Sequence, residues 1–327
     1  MTLLSDAIEF YLADREAFLS ENTVADYRNW LGKLSAWLGA DVPIDRIDAN
    51  QMRDVFHYLR SEYQITHRWG GPAEPRALAA KSRKLAFSAC STFWKWLAKE
   101  YGVHNPMANI TAPKVPVRPV QPLSMQDIKA VLSACDETCN ATTSLWRQPF
   151  KYQRPSALRD RTIILVLVDT GLRTSELCTL NVADFDHKQK RLHVIGGKGG
   201  KDRYVYVGTE TRRNVLKYLV QRFPLNDSKP DTPLFVTREG NRFTRQHLWR
   251  HLKRLGKKAG VEGSNPHRFR HTFAIEFLRN NGNAFSLQGI LGHTTLDMTR
   301  RYVQYAEADL AEAHKQASPV DALVRRK

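Results

Sequence analysis

Acidic residues are in short supply: 33 Asp and Glu stand against 50 Lys and Arg, a formal net charge of +17 at pH 7. For a folded chain that imbalance points to a polyanionic partner, with a basic surface kept for solubility as the other reading. Cysteine is also scarce. Cys90, Cys135, Cys139 and Cys178 form no CxxC pair and no dense framework, which argues against a disulfide-stapled secreted scaffold and predicts reduced thiols in the core. Long apolar runs are missing too. The longest aliphatic stretch, IILVLV from Ile163 to Val168, is far short of a membrane span, and no basic segment followed by an apolar one opens the chain. The expectation is a soluble, cytoplasmic protein that does not enter a membrane. What is plentiful is aromatic side chains, 10% of the residues, too many for a disordered basic tail.

At 327 residues the chain exceeds the usual single-domain range, so two domains are expected. Four apolar stripes at helical spacing occupy the first hundred residues: Ile8, Tyr11, Leu12, Phe18 and Leu19 after a Ser5 N-cap; Val24, Tyr27, Leu31, Leu34 and Leu38; Met52, Val55, Phe56 and Leu59 after Asp48; and Leu78, Leu85, Ala89, Phe93 and Trp96. These predict a small helical bundle. Pro106, Pro113, Pro116, Pro119 and Pro122 then put five of the 15 prolines into 17 residues, which no helix interior tolerates. The boundaries read as a helical domain over 1–108, a Pro-rich linker over 109–122 and a second domain over 123–327. Twelve linker residues in polyproline II form would span about 35 Å.

The second domain opens on Ser124 and Asp127, a capping-box pair ahead of Ile128, Val131 and Leu132. ALRDRTIILVLVDTGLRTSEL reads as a buried helix stopped at Gly171, a turn holding Arg173, and a new helix from about Thr174. RLHVIGGKGGKDRYVYV alternates on both sides of a glycine-rich centre and predicts a β-hairpin with Lys198 and Lys201 at its tip. The remainder reads mainly as helix, including RQHLWRHLKRLGKKAG and the final AEADLAEAHKQA. The fold class is therefore mainly α with a small antiparallel sheet. Two stretches, 63–77 and 137–155, fit no element.

Taken singly, the cationic features are ordinary. Arg173 beside Glu176 reads as a buried ion pair, Lys198 as a solvated turn, and the glycine-rich tip lacks the G-K-[ST] and following helix of a P-loop. His267 and His271 are four apart, a metal-ligand spacing, but no thiolate or carboxylate cluster accompanies them. Together, TGLRTSEL, GGKGGKDR, PHRFRHTFA and LGHTTLDMTRRY resemble, in order, the motifs of the tyrosine recombinase (phage integrase) family: a turn arginine, a hairpin lysine, H-x-x-R, L-G-H, and a tyrosine nine residues after that histidine. The resemblance covers nearly the whole chain, with the first domain similar to the family's helical core-binding domain and the second to its α+β catalytic domain.

The resemblance implies a site-specific DNA recombinase that cuts and rejoins DNA through a 3′-phosphotyrosyl intermediate without metal or other cofactor. It makes Arg173, Lys198, His267, Arg270 and His293 the activating set and Tyr302 the nucleophile, with Lys201 as the fallback lysine. The residue types suit the task. Two guanidinium forks can meet the non-bridging oxygens of a phosphodiester bidentately. A phenol of pKa about 10 is only about one part in a thousand ionised at pH 7, a deficit of roughly 4 kcal/mol that the site has to offset. His267 is the candidate to take or stabilise its proton and Lys198 to protonate the departing 5′ oxygen, while His293 helps to bind the phosphate. Tyr305, three residues on, is expected only to pack, and neither Arg300 nor Arg301 receives a catalytic role.

Further implied are double-stranded DNA with inverted-repeat core sites as partner, a nucleoid location, and a cyclic homotetramer in which the tail carrying Val320, Leu323 and Val324 docks on a neighbouring subunit. Two basic domains on a stiff tether suit a clamp around the duplex. No arm-site domain is expected before the core-binding domain, which favours a simple recombinase of the Xer or transposon type; the two unplaced stretches exceed the compact Xer pattern and leave the subgroup open, with the leaning towards a mobile-element integrase over chromosome or plasmid dimer resolution. A type IB topoisomerase, or a DNA-binding regulator without catalysis, are the other readings.

Overall fold

The computed structural model describes residues 2–68, 71–116, 121–136, 139–141, 150–152, 154–196, 202–224, 229–306, 318 and 320. It divides into two compact units, Met1–Arg118 and Pro119–Lys327. It is mostly helical with small antiparallel sheets, the fold class read from the sequence. No described helix is long and apolar enough to cross a membrane.

The first unit holds α1 (Leu4–Glu16), α2 (Glu21–Leu38), α3 (Ala49–Ser61), a hairpin of β1 (Gln64–Arg68) and β2 (Gly71–Ala77), and α4 (Ala80–Tyr101). Its starts follow the expected chemistry: Ser20 accepts from the Thr23 N–H, and Asp48 and Gln51 cap each other reciprocally. Helix α1 differs. It begins at Leu4, so Ser5 lies inside it, because the fully buried Leu4 packs in place and gives its N–H to the Val42 carbonyl. It also ends at Glu16, leaving Phe18 beyond it and 76% exposed, and Leu85 of α4 likewise faces out. Tyr11, Leu31, Met52, Phe93, Trp94 and Leu97 fill the core, with Tyr11 edge-on to Phe93 at 5.4 Å. The stretch at 63–77, unplaced from sequence, contains the β1–β2 pair.

The second unit runs α5 (Met125–Asp136), β3 (Cys139–Ala141), β4 (Phe150–Tyr152), α6 (Ala157–Thr170), α7 (Thr174–Thr179), β5 (Phe185–Asp186), β6 (Arg191–Val194), β7 (Arg203–Tyr206), α8 (Thr209–Arg222), α9 (Arg245–Lys258), α10 (Pro266–Arg279), α11 (Ala284–Leu291) and α12 (Leu296–Ala306). Ser124 and Asp127 form their capping box. The other unplaced stretch contains the β3–β4 pair. Strands β5, β6 and β7 form one antiparallel sheet in which Leu192 faces Val205; Val205 and Val207 turn inward, while Tyr204 and Tyr206 are exposed. Helix α6 is buried around nearly its whole circumference, with Ile163, Ile164, Val166 and Leu167 at the centre of the core. Cys90, Cys135 and Cys178 are buried free thiols, and burial pushes them up to about 12, 12 and 11. The segment expected as a final helix, 307–317, lies outside the described residues, as do Leu323 and Val324.

Candidate active site

Two glycines with left-handed backbones shape the centre of the second unit. Gly171, φ 61°, ends α6, and a Cβ there would collide with the Phe273 ring. Gly292, φ 62°, ends α11 and stands against the Arg203 guanidinium. The last carbonyls of a helix lack partners within it and carry partial negative charge. At the end of α11, three in succession each take one arginine: Ile290 O accepts from Arg203 Nε at 2.8 Å, Leu291 O from Arg270 Nη2 at 2.8 Å, and Gly292 O from Arg173 Nη2 at 3.0 Å. Gly171 O accepts from the other arm of Arg270 at 2.7 Å.

A buried carboxylate completes the anchorage. Glu176, 5% exposed, accepts from the Arg173 backbone N–H and Nη1, each at 2.8 Å, and from both arms of Arg203 at 2.9 and 2.8 Å. Burial works to raise its pKa, but the hydrogen bonds and charges of Arg203 and Arg173 outweigh it and hold the carboxyl at about 2. Arg173 keeps 20% of its side chain exposed, enough to be reached from solvent. Arg270 is buried. Its burial and then the Arg173 charge lower it to about 10, where it still carries its charge at neutral pH.

Helix α10 delivers that arginine. Asn265 caps its start by accepting from Arg268 N–H, Pro266 occupies the first turn, and Phe269, Arg270 and Phe273 turn inward. Opposite stands Tyr302 of α12, buried among Phe273, Ala274, Ile275, Leu287 and Leu291. Its phenol oxygen lies 2.7 Å from His271 Nδ1, and its ring stacks on His293 at 6.1 Å and 10°. Burial raises the phenol above its usual value, against the pull of Arg270, Arg301 and Arg173, so the phenol is protonated and donates to His271. His293 Nε2 lies 3.1 Å from Arg270 Nη2, and a guanidinium only donates; His293 therefore carries its proton on Nδ1, which gives it to the buried Thr299 hydroxyl at 2.9 Å. Burial, then Arg270 and Arg173, hold His293 at about 4.

Of the residues picked from sequence, the structure thus brings Arg173, Arg270, His293 and Tyr302 to one place. His267 is exposed in the first turn of α10, and a different histidine contacts the phenol. Lys198 and Lys201 lie outside the described residues, although β6 and β7 that lead to them are placed; Tyr305's side chain is outside them too. Arg300 and Arg301 are exposed. Sequence reasoning missed Arg203, His271 and Thr299.

The model of the phage integrase family matches residues 121–309. Tyrosine recombinase XerD of Vibrio cholerae serotype O1 is 31% identical over 310 residues, covering 93% of this chain and 92% of the relative. Tyrosine recombinase XerC of Alcanivorax borkumensis is 29% identical over 306 residues, covering 93% and 90%. Among solved structures, the Tn1549 transposon integrase in complex with circular intermediate DNA shares the fold, with a TM-score of 0.73 at 19% identity over 97% of this chain and 99% of that one. A family match across more than half of the chain, with relatives aligned along nearly all of it, makes this protein a tyrosine-type site-specific DNA recombinase of the phage integrase family.

Proposed function

We propose that Tyr302 is the nucleophile of this recombinase, that Arg173 and Arg270 hold the scissile phosphate, and that His267, His293 and Lys198 complete the catalytic set. One observation carries the reading: a buried phenol, with Arg270 and Arg173 both acting on its charge, beside two guanidinium groups fixed on adjacent helix-end carbonyls. Fixed donors aimed at developing charge stabilise a transition state without reorganisation. Attack of the Tyr302 oxygen on phosphorus forms a 3′-phosphotyrosyl link and releases a 5′ hydroxyl, whose proton comes from Lys198. One ester replaces another, so strands reseal to a new partner without an external energy source. The arginines supply the charge neutralisation that two-metal nucleases draw from ions.

A nicked suicide duplex bearing the cognate site tests this reading. The unaltered chain traps a covalent adduct and Tyr302→Phe traps none; an undiminished adduct with Tyr302→Phe would refute the assignment.

The partner is duplex DNA, and the chain acts in the cytoplasm on nucleoid DNA. Inverted-repeat core sites bound by a cyclic homotetramer fit the family's strand exchange, with the tail beyond Ser318 docking on a neighbour; Val320, 67% exposed, supports that placement. Truncation after Ala317 is expected to abolish synapsis while leaving single-site binding in place. The biological role proposed is integration and excision of a mobile element, because the segments that carry the β1–β2 and β3–β4 pairs exceed the compact Xer pattern. Identity near 30% with XerD and XerC favours dimer resolution as the second reading. Recombination assays on plasmids carrying the DNA that flanks the gene separate them: joining of element ends supports the first, and resolution at a chromosomal site the second.

A further inference from the structure

Cleavage needs a group to take the phenolic proton, and three histidines stand near it. His293 has its basic nitrogen turned to Arg270 and its N–H given to Thr299, so it offers the phenol only a ring face. His267 lies on the exposed side of α10. His271 places its ring nitrogen Nδ1 at hydrogen-bond distance from the Tyr302 oxygen, 2.7 Å, with the rings 5.5 Å apart. A neutral imidazole that accepts on Nδ1 carries its own proton on Nε2.

We propose that His271 is the catalytic base of strand cleavage, accepting the Tyr302 proton on Nδ1 as the phenol oxygen attacks phosphorus. The proposal rests on the reading of Tyr302 as nucleophile. In the step the Oη–P bond forms and the P–O5′ bond breaks; the phenolic proton passes to His271, and the electron pair leaves on O5′, which takes a proton from Lys198. In rejoining, the imidazolium returns its proton to the departing phenolate, so one residue serves both directions.

The surroundings tie this transfer to substrate. The groups facing His271 are Tyr302 on α12, His293 ahead of it, and His267 and Arg270 on its own helix. Burial, then His267 and Arg270, hold the imidazole at about 4, while burial raises the phenol, so transfer is disfavoured in the resting protein. A phosphodiester anion beside Arg270 offsets the cation that depresses the imidazole and strengthens the base. Tyrosine activation therefore waits for DNA.

The test is single-turnover cleavage by the full chain on a nicked suicide duplex, with an ordinary or a sulfur-bridged 5′ leaving group. His271→Asn and His271→Gln keep an accepting oxygen but take no proton. Both are expected to bind DNA within about twofold of the unaltered chain and to form adduct about 10²–10³-fold more slowly at pH 7, the usual worth of a general base. They should recover part of the rate as pH rises towards the phenol's own ionisation. The sulfur leaving group needs no acid: it should restore Lys198→Ala and leave the His271 variants slow. Cleavage by His271→Asn within threefold of the unaltered chain, or its rescue by sulfur, overturns the proposal. If the unaltered chain forms no adduct through Tyr302, the underlying reading fails instead. Should both variants lose DNA binding, the unaltered chain on the sulfur substrate decides: a normal solvent deuterium isotope effect supports proton transfer in the step, and none contradicts it.

Discussion

Two buried carboxylates in the second unit do opposite things with the same chemistry. Asp160, in the first turn of α6 and fully buried, accepts from Arg159 at 2.8 and 3.0 Å and His251 at 2.9 Å, with Arg154 at 3.4 Å. Each of those arginines also gives one guanidinium arm to a backbone carbonyl, Arg159 to Val236 and Arg154 to Cys135, so the cluster ties chain segments together. Glu176, in α7 just past the other end of α6, also grips two arginines. Here Arg203 is tied down on Ile290 O, whereas Arg173, gripped by the same carboxylate, keeps a solvent-facing side. A buried ion pair is thus a poor sign of function by itself. Exposure does not separate the two, since Arg154 keeps 19% of its side chain open and Arg173 20%; what marks the Glu176 cluster is that Arg173 stands with Arg270 beside the buried phenol of Tyr302.

Breaking each carboxylate sharpens the contrast. Glu176→Gln is expected to give the largest effect, about 3–5 kcal/mol of stability in a urea titration together with a loss of adduct formation above a hundredfold per folded molecule. Asp160→Asn should cost about 3 kcal/mol by the same titration, yet its folded fraction should cleave within about threefold of the unaltered chain. Equal losses of cleavage in the two variants would erase the distinction.

Acid separates the groups by window. The Glu176 carboxyl, folded at about 2 against an ordinary 4.5, is protonated first in the unfolded chain, so its contribution is complete above pH 4.5 and disappears as pH falls towards 2. That contribution is about 3 kcal/mol. His271 and His293, folded at about 4 against 6.5, are also protonated first in the unfolded chain, and stability falls as pH drops from 6.5 to 4. Urea titrations against pH should show both limbs; Glu176→Gln should remove part of the lower limb only, and His271→Asn part of the upper one only. The smallest change expected is Thr299→Val, which leaves the His293 Nδ1–H without its acceptor. It should cost about 1–2 kcal/mol and slow adduct formation about tenfold.

Much of this site is written in local strings. Gly171, Arg173, Arg270, Gly292, His293 and Tyr302 sit in short motifs whose spacing survives folding, and the capping pairs Asp48 with Gln51 and Ser124 with Asp127 are local by nature. Contacts made across the chain were not legible. Arg203 meets Glu176 from 27 residues away and Ile290 from 87. A signal existed: Arg203 shares the inward side of β7 with Val205, an unusual place for an unpaired cation. His271 stood in plain view in PHRFRHTFA, but its spacing from His267 suggested metal ligation, and only the packing of α10 against α12 gives it the phenol as neighbour. The α1 start misread at Ser5 has the same origin, since the packing of Leu4, not the serine hydroxyl, sets that boundary.

The outward-facing Arg173 and the buried phenol of Tyr302 are proposed to act as one site. Digesting the trapped protein–DNA adduct and locating the modified peptide by mass spectrometry tests it most directly. The expected product is a 3′-phosphodeoxynucleotide on Tyr302, carried by the peptide that spans ILGHTTLDMTRRYVQY, with a free 5′ hydroxyl on the released strand. Modification of Tyr305 or any other residue, or a 5′ phosphate on the released strand, would contradict it.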